Sequence, residues 1–186
     1  MNHYTALALL LSMAPWAAWT DPGPGGPPAL TSSVGPTGPV GRAWPLGPPG
    51  PTIVRGWQPP ATPYGPGHRG IDLAAPPGTP VHAAAPGHIS YAGPVAGRGV
   101  LTITLTGTGE PPLRTSYEPV TPLVTQGDTV TAGQIIATTT TSPHCPDSCL
   151  HWGLRRADTY LNPLTLLPPH LLRRPPSRLL PVTGMP

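Results

Sequence analysis

Leu101, Ile103 and Leu105 alternate with Thr102, Thr104 and Thr106, so a strand through this segment buries one face and wets the other. Shorter segments of similar texture flank it. Val81-His-Ala-Ala-Ala85, His88-Ile-Ser-Tyr-Ala92, Leu113-Arg-Thr-Ser-Tyr117, Ile135-Ile-Ala-Thr-Thr139 and Leu150 to Arg155 each read as a strand, in a stretch punctuated by glycine and proline. Many short strands separated by turn residues predict an all-β fold, a two-sheet antiparallel β-sandwich or partly open barrel. After the last strand, Asn162 suits a helix N-cap and Pro163 the first helical position. One short helical turn is therefore predicted up to Leu167, stopped by Pro168 and Pro169.

The ends of the chain have a different texture. An apolar run from Ala6 to Ala18 is too short to cross a bilayer and closes in small residues, the pattern of an export signal over residues 1–20. Fourteen of the 33 prolines fall between Asp21 and Pro66. Residues 21–43 read as a Pro/Gly-rich linker, and Trp44, Leu46, Ile53, Val54 and Trp57 punctuate the stretch that follows. That second half is expected to lie along the surface of a single domain over residues 44–167, followed by a mobile Pro/Arg-rich tail, 168–186. The formal charge is only +3, and no basic run is longer than two residues, which excludes a nucleic-acid footprint. The expectation is a secreted, cell-wall-located monomer with no membrane span once the signal is removed. Export also sets the redox environment of the two cysteines, because thiols outside the cytosol meet oxidising conditions.

Candidate chemistry sits in two places. Gly67-His-Arg-Gly-Ile-Asp72 sets a histidine and an aspartate four residues apart around a glycine. Two ligands of one zinc ion must both come within about 2 Å of it, whereas four residues of straight strand span about 13 Å. Convergence therefore requires a bend or turn at Gly70. By itself the pair reads equally as an ordinary hydrogen-bonded His and Asp. The second place is Cys149-Leu-His151. If His151 faces inward, then His68, Asp72 and His151 offer two imidazoles and a carboxylate, with a fourth position left for water. That is a catalytic zinc arrangement, in contrast to the closed shell of a structural one.

The order of motifs carries more than any one of them. Gly67-His-Arg-Gly-Ile-Asp-Leu73, Pro77-Gly-Thr-Pro-Val-His-Ala-Ala-Ala-Pro-Gly87, Gly127-Asp-Thr-Val-Thr-Ala-Gly-Gln-Ile-Ile136 and Cys149-Leu-His-Trp-Gly153 together resemble the lysostaphin-type, or LytM-type, peptidoglycan endopeptidases. The resemblance spans about Trp57 to Leu167. It implies a duplicated-hybrid-motif-like pair of antiparallel sheets with a groove over one of them. It also implies one zinc ion held by His68, Asp72 and His151, and hydrolysis of peptide bonds in peptidoglycan cross-links. The Gly127 to Ile136 stretch is also similar to biotinyl and lipoyl carrier hammerheads, but those need a lysine and this chain has none.

Two positions depart from the family pattern. A histidine is usual two residues after the strand tyrosine, where this chain has Tyr117-Glu-Pro119, and His-x-His is usual where it has Cys149-Leu-His151. The absent histidines are those that would activate water and stabilise the oxyanion, a loss of about 10²–10³ in rate for the oxyanion term alone. Glu118 is the substitute general base, provided a local twist at Pro119 turns it toward the site. His82, His88 and His144 read as plain surface positions. Cys145 and Cys149 can close a small disulfide, with Pro146 and Asp147 favouring the turn between them. A rival reading makes Cys149 a thiolate ligand that closes the site and excludes hydrolysis. The functional expectation is an exported zinc endopeptidase. The alternative is a catalytically degenerate module that binds the wall or regulates other wall hydrolases.

Overall fold

The computed structural model describes residues 41–48, 50–62, 64–141 and 148–173. The expected signal over 1–20, residues 21–40 of the expected linker, residues 142–147 with His144 and Cys145, and residues 174–186 lie outside the described residues.

Eleven strands are present among the described residues: β1 (Ile53–Arg55), β2 (Gly70–Ala74), β3 (Pro80–His82), β4 (Gly87–Val95), β5 (Arg98–Leu105), β6 (Leu113–Glu118), β7 (Val120–Pro122), β8 (Thr129–Val130), β9 (Ile135–Thr139), β10 (Cys149–Arg156) and β11 (Thr159–Leu161). The larger sheet runs β1-β2-β10-β6-β5-β4-β8, with β11 paired to β10, and the smaller runs β3-β9-β7. Every pairing is antiparallel. The predicted two-sheet all-β architecture is the one observed.

Alternation works as the sequence implies. On β5 the side chains of Leu101, Ile103 and Leu105 are buried, while Thr102 and Thr104 are half-buried on the opposite face. On β6 and β10 the inward residues are Thr115 and Tyr117, and Leu150, Trp152 and Leu154. They meet Ile71, Leu73, Val81 and Ile136 in one core. Trp152 is the largest of these wholly buried side chains. Its indole N–H is satisfied there, donating to Thr115 Oγ1 at 2.7 Å, and the Thr115 hydroxyl donates to the Gly153 carbonyl at 2.9 Å.

Tyr117 joins the sheets. Its hydroxyl oxygen accepts the Ala84 backbone N–H at 3.0 Å, just beyond β3. Burial pushes the phenol up from 10.0 to about 12, only partly offset by the Ala84 hydrogen bond and those from Thr115 and Trp152. From pH 10 to about 12 the unfolded chain releases this proton while the folded chain keeps it. The unfolded state then binds fewer protons, so this stabilisation is complete below pH 10 and is lost as pH rises through the folded value. Urea unfolding at about pH 9 and about pH 11 is expected to show a larger loss of stability for wild type than for Tyr117→Phe. Equal losses would remove Tyr117 as the source.

The linker and tail differ from expectation at their inner ends. Leu46 is buried in the core, Trp44 lies against Trp152 with ring centroids 6.3 Å apart, and β1 adds an edge strand to β2. The predicted turn after Asn162 is a 3₁₀ turn, Pro163–Leu166, capped by Asn162 Oδ1 accepting from Leu164 N–H at 3.1 Å. Pro168 and Pro169 do not end the ordered chain. A helical turn, Pro169–Leu172, follows, and the Leu171 carbonyl accepts the Trp44 indole N–H at 2.9 Å. Pro169 stands at its first position, where a missing N–H costs nothing.

Candidate metal centre

Asp72 is central in β2, and the register sets it directly opposite His151 on β10. Residues opposite each other in an antiparallel pair project from the same face. His68 lies ahead of β2, held by an isolated bridge in which His68 N–H donates to the Gln58 carbonyl at 2.7 Å and Gln58 N–H to the His68 carbonyl at 3.2 Å. The chain therefore turns between His68 and Asp72, as convergence required. Gly70 does not supply a left-handed backbone for this turn, since it is absent from the positive-φ residues. Its contribution is clearance: a Cβ there would collide with the Trp152 carbonyl and lie 2.7 Å from Cε1 and Nε2 of the His151 ring.

Three ligand atoms result. His68 Nε2 is 3.0 Å from Asp72 Oδ1, His151 Nδ1 is 2.7 Å from the same oxygen, and the two nitrogens are 3.1 Å apart. The imidazole rings meet edge-on with centroids 5.0 Å apart. Asp72 is only 2% exposed, His68 4% and His151 14%. A carboxylate this deep needs positive charge or several donors near it.

The donor chemistry fits a cation. His68 Nδ1 is 2.7 Å from the Gly56 carbonyl oxygen, which can only accept, so Nδ1 carries the proton of the neutral ring. His68 Nε2 is then a bare lone pair facing a carboxylate oxygen at 3.0 Å. That contact is repulsive unless the ring is protonated or a cation lies between the two atoms. A backbone carbonyl that fixes the tautomer and aims the other nitrogen is the usual support of a metal-binding histidine. Tetrahedral bonds of about 2.0–2.1 Å place neighbouring ligand atoms about 3.3 Å apart, so the three atoms, 2.7–3.1 Å from one another, need to spread by only about 0.2–0.6 Å to hold an ion. His68, Asp72 and His151 are thus able to hold a metal ion.

Other candidate residues are placed differently. Glu118 is in register with His151 on its other side, so Asp72, His151 and Glu118 form one row across three strands. No twist at Pro119 is needed to bring Glu118 to this face. Its carboxylate is not among the converging ligand atoms, and Oε2 lies 3.8 Å from Arg98 Nη2. Cys149 is wholly buried, pairs with Ala74, and is likewise outside the converging group, which disfavours the thiolate-ligand reading. It is not a free thiol, and Cys145 lies outside the described residues. His88 is exposed, and His82 lines a separate cavity of about 550 Å³ beside Trp44 and Leu171. The Gly56 carbonyl was not legible in the sequence, because no side-chain pattern marks a backbone oxygen.

Residues 66–163, more than half of the chain, match the family described as Peptidase family M23. The chain belongs to peptidase family M23. Relatives of this M23 chain include an uncharacterized protein of Mycobacterium tuberculosis (strain H37Rv), 40% identical over 121 residues, which are 62% of this chain and 47% of that protein. The uncharacterized lipoprotein YgeR of Escherichia coli (strain K12) is 37% identical over 103 residues, 55% of this chain and 40% of YgeR. The matched region thus spans less than half the length of these relatives. Among solved structures, a mutant catalytic domain of the prophage-encoded M23 protein EnpA from Enterococcus faecalis has a TM-score of 0.51 and 27% identity, covering 65% of this chain and 94% of that domain. Lysostaphin in solution has a TM-score of 0.52 and 26% identity, covering 72% of this chain and 58% of lysostaphin. A zinc-containing peptidase from Vibrio cholerae, at 24% identity and a TM-score of 0.54 over 66% of this chain and 39% of that one, is alike in fold.

Proposed function

We propose that this M23 chain is an exported zinc metalloendopeptidase that hydrolyses peptide bonds in bacterial peptidoglycan cross-links. The observation that carries this reading is the convergence of two imidazole nitrogens and one carboxylate oxygen within 3.1 Å of one another on the sheet face opposite the core. His68, Asp72 and His151 are its ligands, and three protein ligands leave a position for water. Zinc bound there supplies Lewis-acid activation of water and of a peptide carbonyl. The chain's own residues do the rest. Gly56 holds the His68 tautomer through its carbonyl, Asp72 contributes the one negative charge of the ligand set, and Gly70 leaves room for the His151 ring.

Glu118 is the general base in this proposal. It stands next to His151 in the ladder, 26% exposed and so reachable by solvent and substrate, with Arg98 at 3.8 Å. A disulfide between Cys145 and Cys149 belongs to the same proposal, stapling the entry to β10 where the family pattern has a histidine. Export follows from the apolar N-terminal run. Among the described residues no helix is long and apolar enough to cross a membrane.

The test pairs metal analysis with muropeptide release from purified walls. Near-stoichiometric zinc and released peptide support the enzyme; absence of zinc sinks it. Glu118→Gln is expected to retain zinc and lower the rate about 10²-fold or more. Unchanged turnover in that variant refutes the role of Glu118. A second reading is favoured by Pro119 and Cys149 standing where accessory histidines are usual. A protein that holds zinc and binds walls without releasing peptide from any of them is the wall-binding or regulatory module of that reading.

A further inference from the structure

Arg155 lies four residues beyond His151 on β10, and Arg114 four residues before Glu118 on β6. The register sets the two arginines opposite each other, as it sets His151 opposite Glu118. Because alternate residues share a face, both arginines project from the face that carries Asp72 and His151, about 13 Å along the strands. The row between them is low: Gly70, Gly153, Ser116 and Thr102 lie side by side across β2, β10, β6 and β5. Beyond it is a depression of about 130 Å³ lined by Thr102, Arg114, Ser116, Leu154, Arg155 and Tyr160.

This pair lacks the partners that neighbouring arginines have. Arg156 donates to the carbonyls of Pro111 at 2.6 Å and Thr108 at 2.8 Å, and Arg98 lies beside Glu118. Arg114 Nε is buried and has no hydrogen-bond partner. Among the described residues no carboxylate is ion-paired to Arg114 or Arg155. Like charges directly opposite in a ladder repel, and a buried N–H without an acceptor costs stability. The repulsion disappears when a carboxylate lies across the two guanidinium groups, whose planar forks match its geometry.

We propose that Arg114 and Arg155 form a carboxylate-binding subsite, which takes a free carboxylate of an extended peptide about four residues from the bond held at the metal centre. The proposal rests on the peptidase reading and narrows the substrate class to peptides bearing a free carboxyl group at that spacing. The Tyr160 ring, with the Arg69 guanidinium 5.6 Å from its centroid, closes one side of the subsite.

The test is NMR titration of the full chain with tetra-alanine carrying a free C-terminal carboxylate and with its C-terminal amide, following the arginine Nε–H signals. The acid is expected to shift the Arg114 signal and to bind about tenfold more tightly than the amide. The double variant Arg114→Gln/Arg155→Gln is expected to bind acid and amide equally while melting no lower than wild type, since it removes a repulsion. Arg155→Lys, which keeps the charge, retains part of the preference and guards against a folding defect in the double variant. Equal binding of acid and amide by wild type, or an undiminished preference in the double variant, overturns the subsite. Peptide release from walls without carboxylate preference leaves the peptidase reading standing and removes only the subsite. Carboxylate preference without peptide release does the reverse.

Discussion

Asp72→Ala is expected to purify with less than about one-tenth of a zinc ion per chain, against about one for wild type, and to release no muropeptide above background. Asp72 supplies the only negative charge among the three converging ligands, and it is 2% exposed, so solvent cannot replace it. Without it, His68 and His151 remain as two neutral donors. Asp72→Asn separates charge from shape, because it keeps the volume and the place in β2 while removing the anion. Zinc content measured by mass spectrometry, with circular dichroism to verify the β fold, decides the matter. An Asp72→Asn protein that still holds near-stoichiometric zinc would remove Asp72 from the ligand set.

Trp152→Ala is expected to cost about 3–5 kcal/mol and to lower Tm by about 10 °C or more. Trp152 is the largest wholly buried side chain and lies against Trp44, so truncation opens a cavity at the centre of the larger sheet. It also removes the indole N–H that donates to the Thr115 hydroxyl at 2.7 Å, leaving that hydroxyl only its bond to the Gly153 carbonyl. Trp152→Phe restores most of the volume but not that hydrogen bond, and should lose less. The effect extends to the metal centre, because Trp152 is adjacent to His151 and its carbonyl is the atom that a Cβ at Gly70 would strike first. Chemical denaturation of the two variants measures this directly, and a cost below about 1.5 kcal/mol for Trp152→Ala would show that the core collapses around the gap.

Strands with a full period of alternation were legible from sequence. The Leu101, Ile103, Leu105 face of β5 and the Tyr117 face of β6 needed no other information, because a pleated strand sends every second side chain to one side. The elements missed were β1, β7, β8 and β11, each two or three residues long and too short for a period to register, and the five-residue β2, whose Gly70 reads as a bend and whose Asp72 interrupts an apolar run. The helical turn at Pro169 was missed because two prolines in a row read as a stop. Only the contact with Trp44 reveals Pro169 as a start.

The metal centre was legible as residue types and not as geometry. His68, Asp72 and His151 were nameable from the motifs, and their order along the chain was enough to place the family. Gly70 was assigned a bend, whereas the structure gives it a different role, leaving room for a ring that arrives from a strand about 80 residues away. From sequence alone Glu118 needs a twist at Pro119 to reach the site, whereas the register itself sets it on the face of His151.

The sequence by itself determined the all-β class, the alternating core, the family and the three candidate ligands, since these depend on local periodicity and residue chemistry. Tertiary structure alone sets the Gly56 carbonyl on His68, places Asp72, His151 and Glu118 in one row, and brings Arg114 opposite Arg155. Those relations are set by strand register between distant segments. A shift of one residue would turn every one of these side chains to the opposite face.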